Sequence, residues 1–251
     1  MITAREEALM FFDQYPRFVE TSSTSSRPAR LNMRHHAMIE SNRSIFAGAR
    51  VLDLASHDGR WTLAALDAGA SHAIGVEGRS ELVKNAEETF ALYGVDAATF
   101  RFINDDIFDV LRAPDENGLE IDVVMCLGFI YHTLRYQDLF AGVRSLKPKH
   151  FLIDTAVISS ERATILVHSE DSSKESAGLD HTFQVDGRLL TGRPSVSALE
   201  IMLEAHGFTV TERFDWPAYL EANYPKNKTV GSYRDGKRVT WLCELDVVAA
   251  V

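Results

Sequence analysis

The chain has 251 residues, enough for one large domain or a domain with additions, and its 45% hydrophobic and 25% charged content is that of a globular protein. A net charge of −10, from 26 basic and 36 acidic residues, opposes broad electrostatic attraction to a phosphate backbone, so a nucleic-acid partner is not expected. Cys126 and Cys243 both lie in apolar runs, no stretch is long and apolar enough to span a membrane, and Arg5, Glu6 and Glu7 stand where a signal peptide needs its apolar core; a cytoplasmic protein without a disulfide framework is expected.

Residues 2–20 are expected to be helical, and the polar "SSTSSRP" from Ser22 to Pro28 breaks the chain. A second helix is expected over Leu31–Phe46. From Gly48 onward, short apolar runs alternate with amphipathic segments. Strands are expected at Arg50–Leu54, Ala73–Glu77, Thr99–Asn104, Asp122–Leu127, His150–Asp154, Thr209–Phe214 and Val239–Leu245. Helices are expected at Arg60–Ala68, Ser80–Leu92, Leu134–Leu146 and Val196–Ala205. This alternation calls for a mostly parallel sheet with helices on both faces. Residues 155–194 are mostly polar, show no clear periodic face and follow the C-terminal end of a strand, where open α/β sheets place ligands; they read as a lid or binding loop. Residues 215–236 read as a loop, which leaves the last two strands to pair as an antiparallel ending.

The stretch "VLDLASHDGRW" (Val51–Trp61) begins like the strand of a nucleotide-binding βα unit, yet its turn, Ala55-Ser56-His57-Asp58-Gly59, carries one glycine where dinucleotide loops carry three. Four acids stand at or just beyond strand ends: Asp53, Glu77 in "AIGVEGR", and Asp105 and Asp106 in "FINDDIF". A carboxylate at the second tip can accept both hydroxyls of a ribose, and one at the third can accept from an adenine amino group, which together make an adenosine socket. Asp58 at the mouth opposes a phosphate and suits a cationic sulfonium, so the loop fits S-adenosylmethionine better than a nicotinamide dinucleotide. Each acid alone is also ordinary turn and cap chemistry; their succession favours the cofactor.

Taken together, "VLDLASHDGRWTLAALDAGA", "AIGVEGR", "FINDDIF" and "DVVMCLGFIYHT" resemble successive motifs of the class I S-adenosylmethionine-dependent methyltransferases, over roughly residues 48–245. The Asp-Gly-aromatic first loop and "GFIYH" are similar to the branch containing the tRNA wobble-uridine carboxymethyltransferase, although only one basic residue, Arg135, follows the Tyr131–His132 pair closely. The chain also resembles the actinobacterial sugar 1-O-methyltransferases of 3-O-methylmannose polysaccharide biosynthesis. The resemblance implies an α/β fold, a Rossmann-like doubly wound sheet of seven strands, mostly parallel with an antiparallel last strand, preceded by N-terminal helices and carrying a lid-like insertion. It implies one methyltransferase domain over residues 1–251: a helical cap (1–47), a cofactor-binding half (48–154), the insertion (155–194), and a C-terminal helix with antiparallel strands (195–251). The cofactor contacts it implies are Asp53, Ala55, His57, Gly59, Glu77, Asp106 and Leu127; Ser56, Asp58, Asp105, Ile107 and Arg34 are expected beside them. A homodimer is compatible with this class.

On the acceptor side, His132 follows the fourth strand and reads either as a general base or as packing behind Tyr131. Asp154 ends the fifth strand and can hold an acceptor hydroxyl, orient His132, or join Asp180 and His181 around a magnesium ion; a turn cap is its plain alternative. "ARLNMRHHAMIE" is a polar helix face, or it brings Arg34 over the cofactor. Tyr219, Tyr224 and Tyr233 can line an acceptor site. The expected activity is methyl transfer to a hydroxyl of a small, carbohydrate-like or oligosaccharide acceptor. The rivals are tRNA modification and an S-adenosyl-ligand-binding protein without turnover.

Overall fold

The computed structural model describes residues 9–22, 24, 27–226 and 230–246. The N-terminal part forms α1 (Arg17–Glu20), α2 (Pro28–Met38) and α3 (Arg43–Phe46). One helix over residues 2–20 does not form in the described part. A 3-10 turn at Phe11–Asp13 stops before Pro16, whose ring fixes its φ and which has no N–H to give, so helix restarts only at Arg17. Likewise α2 ends at Met38 instead of running to Phe46: the Asn42 side-chain amide turns back and donates to the carbonyls of Ala37 and Met38, closing the helix end.

The αβ repeat follows as β1 (Arg50–Leu54), α4 (Arg60–Asp67), β2 (His72–Val76), α5 (Ser80–Leu92), β3 (Phe100–Ile103), α6 (Ile107–Arg112), β4 (Val123–Leu127), α7 (Tyr136–Ser145) and β5 (His150–Ala156). Beyond it come β6 (Ile165–Asp171), β7 (Arg188–Pro194), α8 (Val196–Ala205), β8 (Phe208–Arg213), α9 (Trp216–Asn223), α10 (Gly231–Arg234) and β9 (Arg238–Leu245). The main sheet has seven strands, mostly parallel with the last antiparallel, as expected; their order is β3-β2-β1-β4-β5-β9-β8, and only β9 runs antiparallel to its neighbours.

Strand alternation explains the two cores. Leu52 and Leu54 of β1, with Val124 and Cys126 of β4, face the core under α6, α7 and α8. Val51 of β1, with Val123, Met125 and Leu127 of β4, face the other core, under α4 and the N-terminal aromatics. Both faces are covered, so β4 reads as an unbroken apolar run, as a central parallel strand must. The buried thiols of Cys126 and Cys243 are held protonated, burial pushing both pKa values up. Among the described residues no helix is long and apolar enough to cross a membrane.

Two segments read as loops contain regular structure. Residues 155–194 carry the β6–β7 hairpin, a two-stranded sheet of its own. Its exposed strand residues Leu166, Val167 and Leu190 blur the period-2 signal that a one-sided strand would show. Residues 215–236 contain α9, capped by the Asp215 side chain on the Ala218 N–H, and α10. The "FWY" content of that stretch serves a small third core of Trp216, Leu220, Val230 and Tyr233 packed on Met33 and Ala37 of α2.

Candidate active site

A cavity of about 310 Å³ opens at the C-terminal ends of β1, β2 and β4, the place where an open parallel sheet leaves a crevice. Its first wall is the β1–α4 turn. Ala55 and His57 adopt φ of 56° and 55°, the left-handed region, and Gly59 follows at 78°. The turn therefore keeps the backbone of a glycine-rich loop while using glycine only once, storing strain at two residues that line the cavity. At Gly59 the conformation is matched by contact: a Cβ there would lie 2.7 Å from the Phe102 ring.

Glu77, one residue past β2, lines the cavity. One carboxylate oxygen accepts the His57 N–H at 3.0 Å and the other the Arg79 N–H at 3.0 Å. Each oxygen keeps a lone pair for a ligand hydroxyl. Burial pushes the Glu77 pKa up against those two donors. Asp106 caps α6 with Oδ1 on the Phe108 N–H at 2.8 Å, while its Oδ2 has no hydrogen bond among the described residues. Ile107 and Leu127 supply apolar surface between them. Asp105 stays exposed and serves the backbone N–H of Asp106.

Three residues expected in the socket lie behind it. Asp53 is buried and accepts from the Thr62 hydroxyl at 2.7 Å; burial pushes its pKa to about 7. Ser56 is buried under the turn, where its hydroxyl has no partner. Asp58 does not offer charge to the mouth. It is fully buried and gripped by both Nε and Nη2 of Arg60 at 2.6 Å; burial alone would raise its pKa, but the guanidinium wins and holds it at about 2. Arg60 reaches on to the Ser22 hydroxyl, so this pair ties the N-terminal segment to the turn.

The opposite wall comes from far along the chain. His132, in a 3-10 turn after β4, lines the cavity, and its Nδ1 stands 2.7 Å from the Glu170 carboxylate of β6. Glu170 also accepts the Gly178 N–H at 3.1 Å; burial is outweighed by His132, and its pKa falls. Residues 176–179 roof the cavity. Gly178 is required there, since a Cβ would meet the His132 carbonyl at 2.5 Å. The roof is fastened by Arg79, whose guanidinium donates to the carbonyls of Ser172, Lys174 and Ala177. Glu175 of the roof stands 3.1 Å from Nε2 of His57. The insertion is thus a folded lid, closed onto both the cofactor turn and His132.

Asp154 is the main correction. It is fully buried, below the cavity and not on its wall. Its Oδ1 accepts from Arg238 Nε at 2.7 Å and Arg34 Nη2 at 3.2 Å; its Oδ2 accepts from the Tyr233 hydroxyl at 2.8 Å and the Thr240 hydroxyl at 2.7 Å. Burial is outweighed by the two arginines and the carboxyl stays ionised. Saturated in this way, it cannot take a proton from an acceptor or ligate magnesium. Asp180 is engaged with Arg135 and with the N–H groups of Thr182 and Phe183; His181 alone of the expected metal set lines the cavity. The residues do not fit a magnesium ion, and among the described residues no three histidine, cysteine or carboxylate groups gather to hold a metal. Tyr233 is spent on Asp154, and Tyr219 stacks on His36 at 4.7 Å, so neither lines the cavity.

Sequence reasoning missed Arg30, Arg79, Glu170 and Arg238 and left Arg34 open. All the arginines reach the cavity. An arginine opening an apolar strand, as Arg238 does, signals a buried counter-charge, but only the β5–β9 register shows that Asp154 supplies it.

No protein-family model matches the chain. A segment of 83 residues is 30% identical to ribosomal RNA large subunit methyltransferase I of Serratia proteamaculans (strain 568), and likewise to that of Klebsiella pneumoniae (strain 342). The match takes in 33% of this chain and 21% of each relative, so the chain spans about a fifth of the length of these relatives. Among solved structures, the N-terminal domain of EvdMO1 with SAH (S-adenosylhomocysteine) bound superposes with a TM-score of 0.57 at 17% identity, over 82% of this chain and 79% of that one. The same domain has been solved in the presence of SAH and D-fucose. An S-adenosylmethionine dependent methyltransferase from Mesorhizobium loti superposes with a TM-score of 0.53 at 13% identity, over 79% of this chain and 92% of that one. The fold is that of the S-adenosylmethionine-dependent methyltransferases. Within this methyltransferase fold, the turn after β1, Glu77, Asp106, His132 and the arginines all line this one cavity.

Proposed function

We propose that the chain is an S-adenosylmethionine-dependent O-methyltransferase acting on a hydroxyl of a small, carbohydrate-like acceptor. The observation that carries this reading is one cavity lined by two chemically different sets of groups: spare carboxylate lone pairs on Glu77 and Asp106, and a carboxylate-oriented imidazole, His132. Glu77 fits the ribose hydroxyls and Oδ2 of Asp106 the adenine amino group, with Ile107 and Leu127 against the base. Ala55 and His57 hold the turn close to the amino-acid end. When bound, the cofactor supplies an electrophilic methyl group that passes to the acceptor oxygen and leaves SAH.

The chain's own part is alignment and proton handling. Glu170 on Nδ1 fixes the tautomer of His132 that leaves Nε2 basic, and Nε2 takes the proton of the attacking hydroxyl. Alignment of acceptor and methyl contributes ~7–11 kcal/mol in well-oriented reactions, and a positioned base roughly 10²–10⁴-fold. The lid excludes water. The solution of a structural neighbour in the presence of D-fucose supports a sugar-like acceptor, and the resemblance to sugar 1-O-methyltransferases makes mannosides the first neutral acceptors to assay.

RNA modification is the second reading, supported by the partial match to ribosomal RNA methyltransferases and opposed by the charge of −10. It requires tRNA or rRNA binding whose affinity falls steeply with salt. The test of the main reading is a calorimetric titration with SAH beside NADH. Binding of SAH alone is expected; binding of NADH, or of neither, removes it.

A further inference from the structure

One part of the cavity wall is built from cations. Arg34 and Arg238 converge on Gly128 at the tip of β4: a Cβ there would lie 3.3 Å from Nη2 of Arg238 and 3.9 Å from Nη2 of Arg34. Arg30, one helical turn before Arg34 on α2, lines the same wall. Arg238 also lies over the Tyr131 ring, at 5.1 Å; Arg193 of β7, exposed and outside the cavity lining, stands 5.9 Å from the same ring. Among the described residues the one carboxylate paired with these arginines is Asp154, shared by Arg238 and Arg34; Glu77, Asp106 and Glu175, which line the same cavity, form no ion pair with them. Arg30 has no hydrogen bond or ion pair among the described residues, and Nε of Arg34 is a buried donor with no partner. Burial and the neighbouring Arg34 both work to lower the Arg30 pKa, the direction expected where cations crowd without enough counter-charge.

Such crowding is costly in a partly buried site unless an anion enters. The chain as a whole is strongly acidic, so the positive end is a local construction and not a spill-over of surface charge. The cofactor brings one carboxylate, together with an ammonium and a sulfonium, so it adds no net negative charge to a wall that holds Arg30, Arg34 and Arg238. Guanidinium forks bind carboxylates and phosphates in bidentate fashion.

We propose that Arg30, Arg34 and Arg238 form an anion subsite for the acceptor, so that the hydroxyl compound methylated here carries a carboxylate or a phosphate, as a sugar acid or sugar phosphate does. This rests on the methyl-transfer reading above. The unpartnered Nε of Arg34 and the guanidinium of Arg30 receive the anion; Asp154, Tyr233 and Thr240 hold Arg34 and Arg238 from below; and the acceptor hydroxyl falls between the subsite and His132, which line one cavity.

The test uses the full chain saturated with SAH, so that the cofactor's carboxylate has already taken its place. The complex is titrated by calorimetry with sodium phosphate and, separately, sodium acetate at constant ionic strength. Saturable one-to-one binding of at least one anion is expected, tenfold or more weaker in Arg30→Gln, with SAH affinity within twofold of wild type. The preferred anion tells phosphate from carboxylate acceptors. Three results overturn the subsite: no saturable anion binding to the SAH complex, anion binding unchanged in Arg30→Gln, or a tenfold loss of SAH affinity in Arg30→Gln, which would give the arginines to the cofactor. Failure of the wild-type chain to bind SAH is a separate outcome; it overturns the methyl-transfer reading and the acceptor assignment with it.

Discussion

Two parts of the cavity are built in opposite ways. The part proposed to hold the cofactor is local: Ala55, His57, Glu77, Asp106, Ile107 and Leu127 all sit within a few residues of the tips of four parallel strands, and the sheet alone brings them together. The part proposed to hold the acceptor is assembled from α2, the turn after β4, the β6–β7 lid and the first residue of β9. Its groups are held by long-range pairs: Arg34 and Arg238 on Asp154, Glu170 on His132, Arg79 on the lid backbone. A ligand end that recurs in many proteins can be carried by short motifs, whereas an end shaped to one acceptor is free to draw on any element that reaches it.

That contrast can be broken or sharpened by substitution. The largest effect is expected from His132→Ala, with a loss of roughly 10²–10⁴-fold in kcat and SAH affinity within twofold, measured once an acceptor is in hand. Retained turnover would make His132 packing and return the acceptor end to the arginines alone. Next comes Asp154→Ala, which leaves two buried guanidiniums uncompensated and should cost about 3–5 kcal/mol in urea unfolding. An unchanged urea midpoint would show that the arginines need no anchor.

The third prediction concerns pH at the cofactor end. Burial raises the Asp53 pKa to about 7 in the folded chain, against ~3.9 when unfolded. Its contribution is therefore full below about pH 4 and is lost as the pH rises to about 7. Asp53→Asn should flatten that decline, gaining up to roughly 4 kcal/mol at pH 8 relative to wild type. Asp58 behaves oppositely: held at about 2, it stabilises above about pH 4 and fails only as the pH falls towards 2. Unfolding curves of the Asp53 variant between pH 5 and 8 that run parallel to wild type would contradict this. The smallest effect is expected from Ala55→Gly. Relief of the left-handed φ, less the extra freedom of the unfolded chain, should stabilise by about 0.5–1 kcal/mol in thermal unfolding. A destabilised variant would mean that the turn is not strained.

The legibility of the molecule follows the same division. Strand–helix alternation and the acids at strand tips were readable because the parallel sheet repeats one local rule; the strand order came only from the structure. The lid hairpin was not readable: its strands expose apolar side chains and sit among polar turns, so their periodicity is lost. Nor could spacing show that Asp58 is spent on Arg60, or that Asp154 faces Arg238 and not the acceptor, because both acids look alike at a strand's edge until their partners are placed.

By itself the sequence determined the α/β sheet, the crevice at its C-terminal edge and the identity of Glu77 and Asp106 as acids beside that crevice, since each depends only on period and on residues adjacent in the chain. The tertiary structure alone decided that one carboxylate, Asp154, anchors two arginines, that Glu170 from β6 meets His132, and that the lid lies closed on Arg79. The reason is physical. A buried charge takes its meaning from its counter-charge, and in this fold the counter-charges come from strands and helices that the sequence keeps far apart.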